Sequence, residues 1–266
     1  MEFVTLNNGI TMPLVGFGTW DLRGQGCVTA VEQAIACGYR LIDTAQMYGN
    51  EREVGLGVRR SGVDRAGIFL TSKVYRPNNS YQGTVQSIED SLRALDTDYI
   101  DLYLIHEPYS QAPEMYQALE EAYHAGKLRA TGISNFNAQR YEQLLRSCEV
   151  VPAVNQVEAH VYFQQRELQS VLKANGTHME AWSPLAAAKR DLFRDPVLTR
   201  IGQEYNKSAA QTALRYLVQQ GITVIPKSSH EERMRANLEL FDFVLSPEDI
   251  AQIERLDEGR TLFGWY

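Results

Sequence analysis

A closed barrel of eight parallel strands, each followed by a helix, is the architecture expected of this 266-residue chain. Three observations lead there. Short, strongly apolar runs of strand length recur at residues 14–17, 40–43, 68–73, 100–106, 128–134, 153–158, 178–182 and 222–226. A helical or loop segment follows each run, the alternation expected of a parallel sheet. The runs are continuously apolar, which suits strands covered on both faces. Eight such units in a chain of this length fit an α/β fold of the (β/α)8 TIM-barrel type.

Residues 3–12 come first and read differently. Two short alternating runs flank Asn7-Asn8-Gly9, a hairpin turn sequence, and this N-terminal β-hairpin is expected to cap the bottom of the barrel. The first barrel strand ends in Gly16-Phe17-Gly18-Thr19-Trp20. That is not the GxGxxG turn of a doubly wound dinucleotide fold. Neither Gly24-Gln25-Gly26 nor Gly126-Lys127 completes a phosphate-binding loop. Among the helices, Val85, Ile88, Leu92 and Leu95 recur at spacings of three and four. Pro113 opens a segment with Tyr116, Leu119 and Tyr123 on one side, and Gly126 closes it. Ser246 as N-cap, Pro247 at the first helical position and Glu248-Asp249 in the first turn start a last helix bearing Ile250, Ile253 and Leu256. No linker or shift in composition divides the chain, so residues 1–266 are expected to form one domain.

Lys and Arg number 26 against 33 Asp and Glu, a formal charge of −7, and apolar residues make up 44 %. Such a chain buries a large core, which excludes disorder and collagen-like repeats. The acidic balance argues against a nucleic-acid partner, which would need a broad basic surface to displace counterions. No run approaches the roughly 20 apolar residues that span a bilayer, so no membrane association is expected. Met1-Glu2-Phe3-Val4-Thr5 carries an acid and no apolar region, unlike a signal peptide. Cys27, Cys37 and Cys148 are odd in number with no CxxC, which suits free thiols in a reducing compartment. A cytoplasmic monomer is expected. His106, His124, His160, His178 and His230 show no short ligand spacing such as HExxH, so no metal is expected.

In a barrel the chemistry sits where the strands end, at the C-terminal face. Three strand ends carry polar residues with no reason to close an apolar run. They are Leu41-Ile42-Asp43-Thr44-Ala45 with Tyr48 shortly after, Leu70-Thr71-Ser72-Lys73, and Leu104-Ile105-His106-Glu107-Pro108. Each alone has an ordinary reading: an Asp caps a helix, a Lys is solvated, a lone His is structural. Their convergence on one rim marks a candidate site.

Further stretches extend the pattern: Gly38-Tyr39-Arg40, Tyr48-Gly49-Asn50-Glu51, Asp101-Leu102-Tyr103, Gly132-Ile133-Ser134-Asn135-Phe136, Asn155-Gln156, Ser183-Pro184-Leu185 and Ile225-Pro226-Lys227-Ser228. Taken in order over nearly the whole chain, they make the sequence resemble the aldo-keto reductase family. Bacterial members acting on small carbonyls, such as methylglyoxal and 2,5-diketogluconate reductases, are the most similar in style. The resemblance implies NADPH-dependent reduction of small aldehydes and ketones to alcohols, with Asp43, Tyr48, Lys73 and His106 as catalytic tetrad. It implies cofactor contacts at Gly18 and Thr19, and at Ser134, Asn135 and Gln156 around the nicotinamide carboxamide. Trp182 stands where a stacking tyrosine is usual, followed by Ser183 and Leu185. Lys227, Ser228, Ser229 and Arg233 align with the 2′-phosphate site, hence NADPH over NADH. Asn237 aligns beside the adenine, although Ala236 replaces a usual glutamate and His230 a usual cation.

Physical chemistry supports the tetrad beside the resemblance. A tyrosine with its ordinary pKa of about 10 is a poor acid near neutrality. A cation at Lys73 would lower it, Asp43 would hold that ammonium, and neutral His106 would donate a second hydrogen bond to the substrate oxygen. For the substrate, Trp20 and Trp265 are expected to wall an open pocket. Glu107 next to His106 either pairs with an arginine or repels anionic keto acids. Two rival readings are a Schiff-base aldolase using Lys73 and a non-catalytic dinucleotide-sensing subunit. A carboxylate at Asp43 would keep Lys73 protonated, against the first.

Overall fold

The computed structural model describes residues 2–264. Strands β1 (Phe3–Thr5) and β2 (Thr11–Pro13) pair antiparallel, with Val4 opposite Met12. Gly9 turns the chain at φ +85°, the left-handed region that glycine enters without steric cost. Asn8 donates to the Arg129 carbonyl at 2.8 Å and Asn7 to that of Val151 at 3.2 Å, both just ahead of barrel strands. The hairpin thus sits where the strands begin. Leu6 and Met12 plug the barrel floor against Leu41, Phe69 and Leu102.

Eight strands then run parallel, neighbours in chain order: β3 (Phe17–Gly18), β4 (Leu41–Asp43), β5 (Phe69–Val74), β6 (Leu102–Ile105), β7 (Thr131–Ser134), β8 (Val154–Glu158), β9 (His178–Trp182) and β10 (Thr223–Val224). Val15 bridges Val224, with Gly16 N donating to Val224 O at 2.8 Å and Val224 N to Leu14 O at 3.0 Å. That closes the (β/α)8 barrel. The ladders of β3 and β10 are shorter than the apolar runs at residues 14–17 and 222–226, since strand tilt in a closed barrel staggers neighbours.

Among the described residues ten α-helices surround it: α1 Gly24–Cys37, α2 Glu51–Arg60, α3 Tyr81–Leu95, α4 Ala112–His124, α5 Ala138–Leu145, α6 Arg166–Ala174, α7 Pro196–Glu204, α8 Ala209–Gln219, α9 Glu231–Leu238 and α10 Pro247–Glu254. Their starts follow the expected signals: Pro113 lies in the first turn of α4, and Ser246 and Asp249 form a reciprocal capping box on α10. In α3, Ile88, Leu92 and Leu95 are buried, whereas Val85 stands on the open seam toward α4. Among the described residues no helix is long and apolar enough to cross a membrane.

Strand alternation sorts the side chains into two populations. Ile42, Tyr103, Ile105, Ile133, Val157 and Ala181 point outward and pack beneath the helices. Leu41, Phe69, Leu102, Leu104 and Val154 point inward and fill the barrel. The same period of two turns Asp43, Lys73, Gln156 and Glu180 inward, nearer the C-terminal rim. A polar layer therefore sits on an apolar floor.

Candidate active site

Lys73 Nζ lies 2.7 and 2.9 Å from the two Asp43 carboxylate oxygens, 2.9 Å from Thr44 O and 3.3 Å from Tyr48 Oη. An ammonium has three donors, and these partners use them all. Burial alone would pull the Lys73 pKa down, but the charge of Asp43 and the neighbouring Tyr48 outweigh it and hold the pKa above its ordinary value. The pair is buried, with Lys73 0 % exposed.

Tyr48 ends a short 3₁₀ turn, Gln46–Tyr48, that Gly49 closes at φ +63°. Its ring is half-buried and its hydroxyl turns inward to Lys73. Burial raises the Tyr48 pKa above 10 while Lys73 pulls it down. The expected lowering by Lys73 is present but burial outweighs it, so the phenol stays protonated. His106 follows β6, its ring 5.8 Å from the Tyr48 ring and 5.9 Å from Tyr75. Burial, then the Lys73 charge, lowers its pKa to about 3, so the imidazole is neutral. Trp20, 51 % exposed, sets its edge against Tyr48 at 5.0 Å. The structure thus gathers Asp43, Tyr48, Lys73 and His106 at one end of the barrel: a protonated phenol beside a fixed cation and a neutral imidazole.

Three supporting residues escaped the sequence reading. Asn50 is buried at the start of α2; its side chain donates to Thr19 O at 2.9 Å and Leu22 O at 3.1 Å and accepts from Thr44 Oγ1 at 2.7 Å. It ties the loops after β3 and β4 together. Tyr75 flanks His106. Glu180 is wholly buried on β9, where burial and then Asp43 push its carboxyl up to about 8. A carboxylate within the apolar run of residues 178–182 was the available signal for it.

The expected cofactor residues line the rim from β7 to α9. Ser134 Oγ donates to Gln156 O at 2.8 Å. Asn135, at φ +65°, donates to His106 O at 3.2 Å and accepts from Trp182 Nε1 at 2.8 Å. Gln156 Nε2 lies 2.8 Å from Asp43 Oδ2 and 3.2 Å from Glu180 Oε2. Ser183, at φ +48°, turns the chain after β9, and Leu185 packs on the core. Phe263 from the C-terminal tail meets the Trp182 ring at 5.2 Å and lies under Lys189 Nζ at 4.0 Å, so the tail reaches the rim. Trp265 lies outside the described residues.

Thr19 donates through both N and Oγ1 to Asp43 O. A Cβ on Gly18 would stand 2.8 Å from the Ile225 carbonyl, so β3 can approach this closely only with glycine. Ser228 and Ser229 precede α9, whose N-cap residue His230 makes no side-chain cap. Ser228 Oγ accepts instead from His230 N at 3.1 Å. Lys227 and Arg233 are exposed, and among the described residues neither enters an ion pair. Asn237 is buried beside the Tyr39 hydroxyl.

Glu107 lies 3.7 Å from Arg76 Nη2. That contact is the arginine pairing, one of the two readings of Glu107. A cleft of about 560 Å³ opens there beside His106, lined by Arg76, Glu107, Gln111, Asn135 and Arg140 among others.

Comparison with known proteins points to one family. The profile of the Aldo/keto reductase family matches residues 14–258. Glyoxal reductase of Bacillus subtilis (strain 168) is 44 % identical over 263 residues, covering 98 % of this chain and 95 % of that protein. Morphine 6-dehydrogenase of Pseudomonas putida is 40 % identical over 270 residues, covering 96 % and 91 %. Among solved structures, an aldo-keto reductase from a Medee basin deep-sea metagenome library superposes with TM-score 0.96 at 39 % identity, covering 98 % of this chain and 97 % of that one. A Bombyx mori aldo-keto reductase in complex with NADP gives TM-score 0.93 at 32 % identity, covering 98 % and 94 %.

Proposed function

This chain belongs to the aldo/keto reductase family, and from there we propose that it reduces small aldehydes and ketones with NADPH, using Tyr48 as general acid. Family members are oxidoreductases that act on small carbonyl compounds with nicotinamide cofactors. The residues present suit such a cofactor. Amide and hydroxyl groups of Ser134, Asn135 and Gln156 meet at one end of the rim, where a carboxamide needs donors and acceptors. Trp182 offers an aromatic face. At the other end Lys227 and Arg233 are unpaired among the described residues, beside Ser228, Ser229 and the N-terminus of α9, a setting that favours a phosphate. Bound there, such a cofactor in its reduced form would supply the hydride for the carbonyl carbon.

The protein's own part is the oxygen. Tyr48 Oη gives its proton to the carbonyl oxygen as negative charge develops there. Lys73, held charged by Asp43, stabilises the phenolate left behind. Neutral His106 donates a second hydrogen bond and sets the direction of the carbonyl. The observation that carries the reading is the Tyr48 hydroxyl 3.3 Å from a buried, carboxylate-paired ammonium. An ammonium so held is a poor Schiff-base nucleophile, which disfavours the aldolase reading. A relative named glyoxal reductase supports a small dicarbonyl as test substrate. The free thiols of Cys27, Cys37 and Cys148 support a reducing, cytoplasmic setting.

The experiment follows NADPH absorbance with methylglyoxal. Tyr48→Phe should lose about 10²–10³ in kcat, the typical cost of one oxyanion donor, while NADPH still binds. Near-wild-type reduction by that variant would overturn the assignment of the acid.

A further inference from the structure

We propose that Glu180 is a positioning residue of this site: together with Asp43 it holds the Gln156 amide with its nitrogen turned into the barrel and its carbonyl oxygen turned to the rim. The proposal rests on the reading above, in which Gln156 meets the carboxamide of a nicotinamide ring.

Gln156 and Glu180 are register partners on adjacent parallel strands, so both side chains enter the interior at one height. Gln156 Nε2 reaches Asp43 Oδ2 at 2.8 Å and Glu180 Oε2 at 3.2 Å. A side-chain amide has two N–H donors and one carbonyl acceptor. Both donors therefore go to carboxyl groups. Turning the amide over would set its oxygen against the Asp43 carboxylate, an acceptor-only group, which the buried setting penalises. What Gln156 retains for a ligand is Oε1, an acceptor. A carboxamide NH2 matches it and a carboxamide oxygen does not. Asp43 alone satisfies one of the two donors, since its carboxylate also takes both short contacts from Lys73. Glu180 supplies the second.

Packing does not ask for a carboxyl at this position. Glu180 is 0 % exposed, and Oε1 finds no hydrogen-bond partner among the described residues. A polar group buried for so little compensation destabilises the fold. The layer beneath is filled by Leu41, Phe69, Leu102 and Val154, and an aliphatic side chain would fill this layer equally well. A side chain that costs stability where it sits points to function.

The test compares two ligands on the intact protein by quenching of its tryptophan fluorescence. One is NADP+; the other is 2′-phospho-ADP-ribose, with the same phosphates and adenine but no nicotinamide. Glu180→Leu should weaken NADP+ binding about five- to tenfold, the loss of one well-placed hydrogen bond, and leave 2′-phospho-ADP-ribose within about twofold. Glu180→Gln, whose carbonyl oxygen still accepts from Gln156, should restore NADP+ binding. Equal weakening of both ligands, or no change in either, overturns the proposal. If Glu180→Leu does not fold, Glu180→Thr, too short to reach Gln156, replaces it with the same expected outcomes. Wild-type protein that bound neither ligand would remove the cofactor reading and this proposal with it, whereas wild-type binding with unmoved variants removes the proposal alone.

Discussion

The Gln156 amide nitrogen lies 2.8 Å from Asp43 Oδ2, joining β8 to β4 across the barrel interior. Through that bond the residues facing a cofactor share a carboxylate with the Lys73 ammonium. Asp43 is thus the hub of the site: it accepts from Lys73 and Gln156 through its side chain and from Thr19 through its backbone. The predictions below probe what depends on it and on its neighbours.

Asp43→Asn leaves the Lys73 charge buried without its counter-ion. Breaking a buried pair from one side costs about 3–5 kcal/mol, so thermal unfolding should shift down by about 10 °C or more. Adding Lys73→Met to Asp43→Asn should recover most of that stability but none of the activity. Calorimetry on the wild type and the two variants checks the stabilities, and NADPH consumption with methylglyoxal checks the activity.

His106 should leave no limb near pH 6.5 in the rate profile of the wild type, because its native pKa of about 3 keeps the ring neutral throughout. The unfolded chain titrates this histidine near 6.5. Between those values the native state binds fewer protons than the unfolded state, so stability falls as pH drops from about 6.5 toward 3. Replacing His106 with Phe should flatten that acid dependence and reduce kcat by about 10²–10³. A wild-type limb that vanished in the variant would count against the neutral ring.

Glu180 gives the opposite slope. Its carboxyl ionises near 4.5 when unfolded and only near 8 in the native state, facing Asp43 on β4, Lys73 on β5 and Tyr48 beyond β4. Between those values the native state binds more protons, so its contribution to stability falls as pH rises from about 5 to 8. Glu180→Gln removes the titration. The melting temperature of this variant relative to wild type should therefore rise with pH, reflecting on the order of 3 kcal/mol across that window. A constant difference from pH 5 to 8 would show that Glu180 ionises normally.

Arg233→Ala should raise the NADPH dissociation constant about 10- to 100-fold, the loss of a charge-assisted bond worth about 1.5–3 kcal/mol. NADH, with no 2′-phosphate, should bind the variant and the wild type alike. Equal losses for the two cofactors would place Arg233 elsewhere.

Much of this was legible locally. Eight apolar runs announced the barrel, Asn7-Asn8-Gly9 announced the hairpin, and Ser246-Pro247 announced α10, because turn chemistry, capping and strand alternation each depend on a few adjacent residues. Asp43, Lys73 and His106 stood out as polar residues closing apolar runs. What the chain alone did not disclose is which side chains meet across the interior. Asn50 stands in the stretch Tyr48-Gly49-Asn50-Glu51 with no role of its own to read, yet it ties Thr19 and Leu22 to Thr44. Glu107 reads either as an arginine partner or as a charge that repels keto acids, and only the fold brings Arg76 from another loop to it. Glu180 and Asp43 lie far apart in sequence, and only the tilt and stagger of a closed barrel bring both to one amide. Alternation sets which face a residue takes; barrel closure sets its neighbours, and with them the protonation of Glu180, Tyr48 and His106.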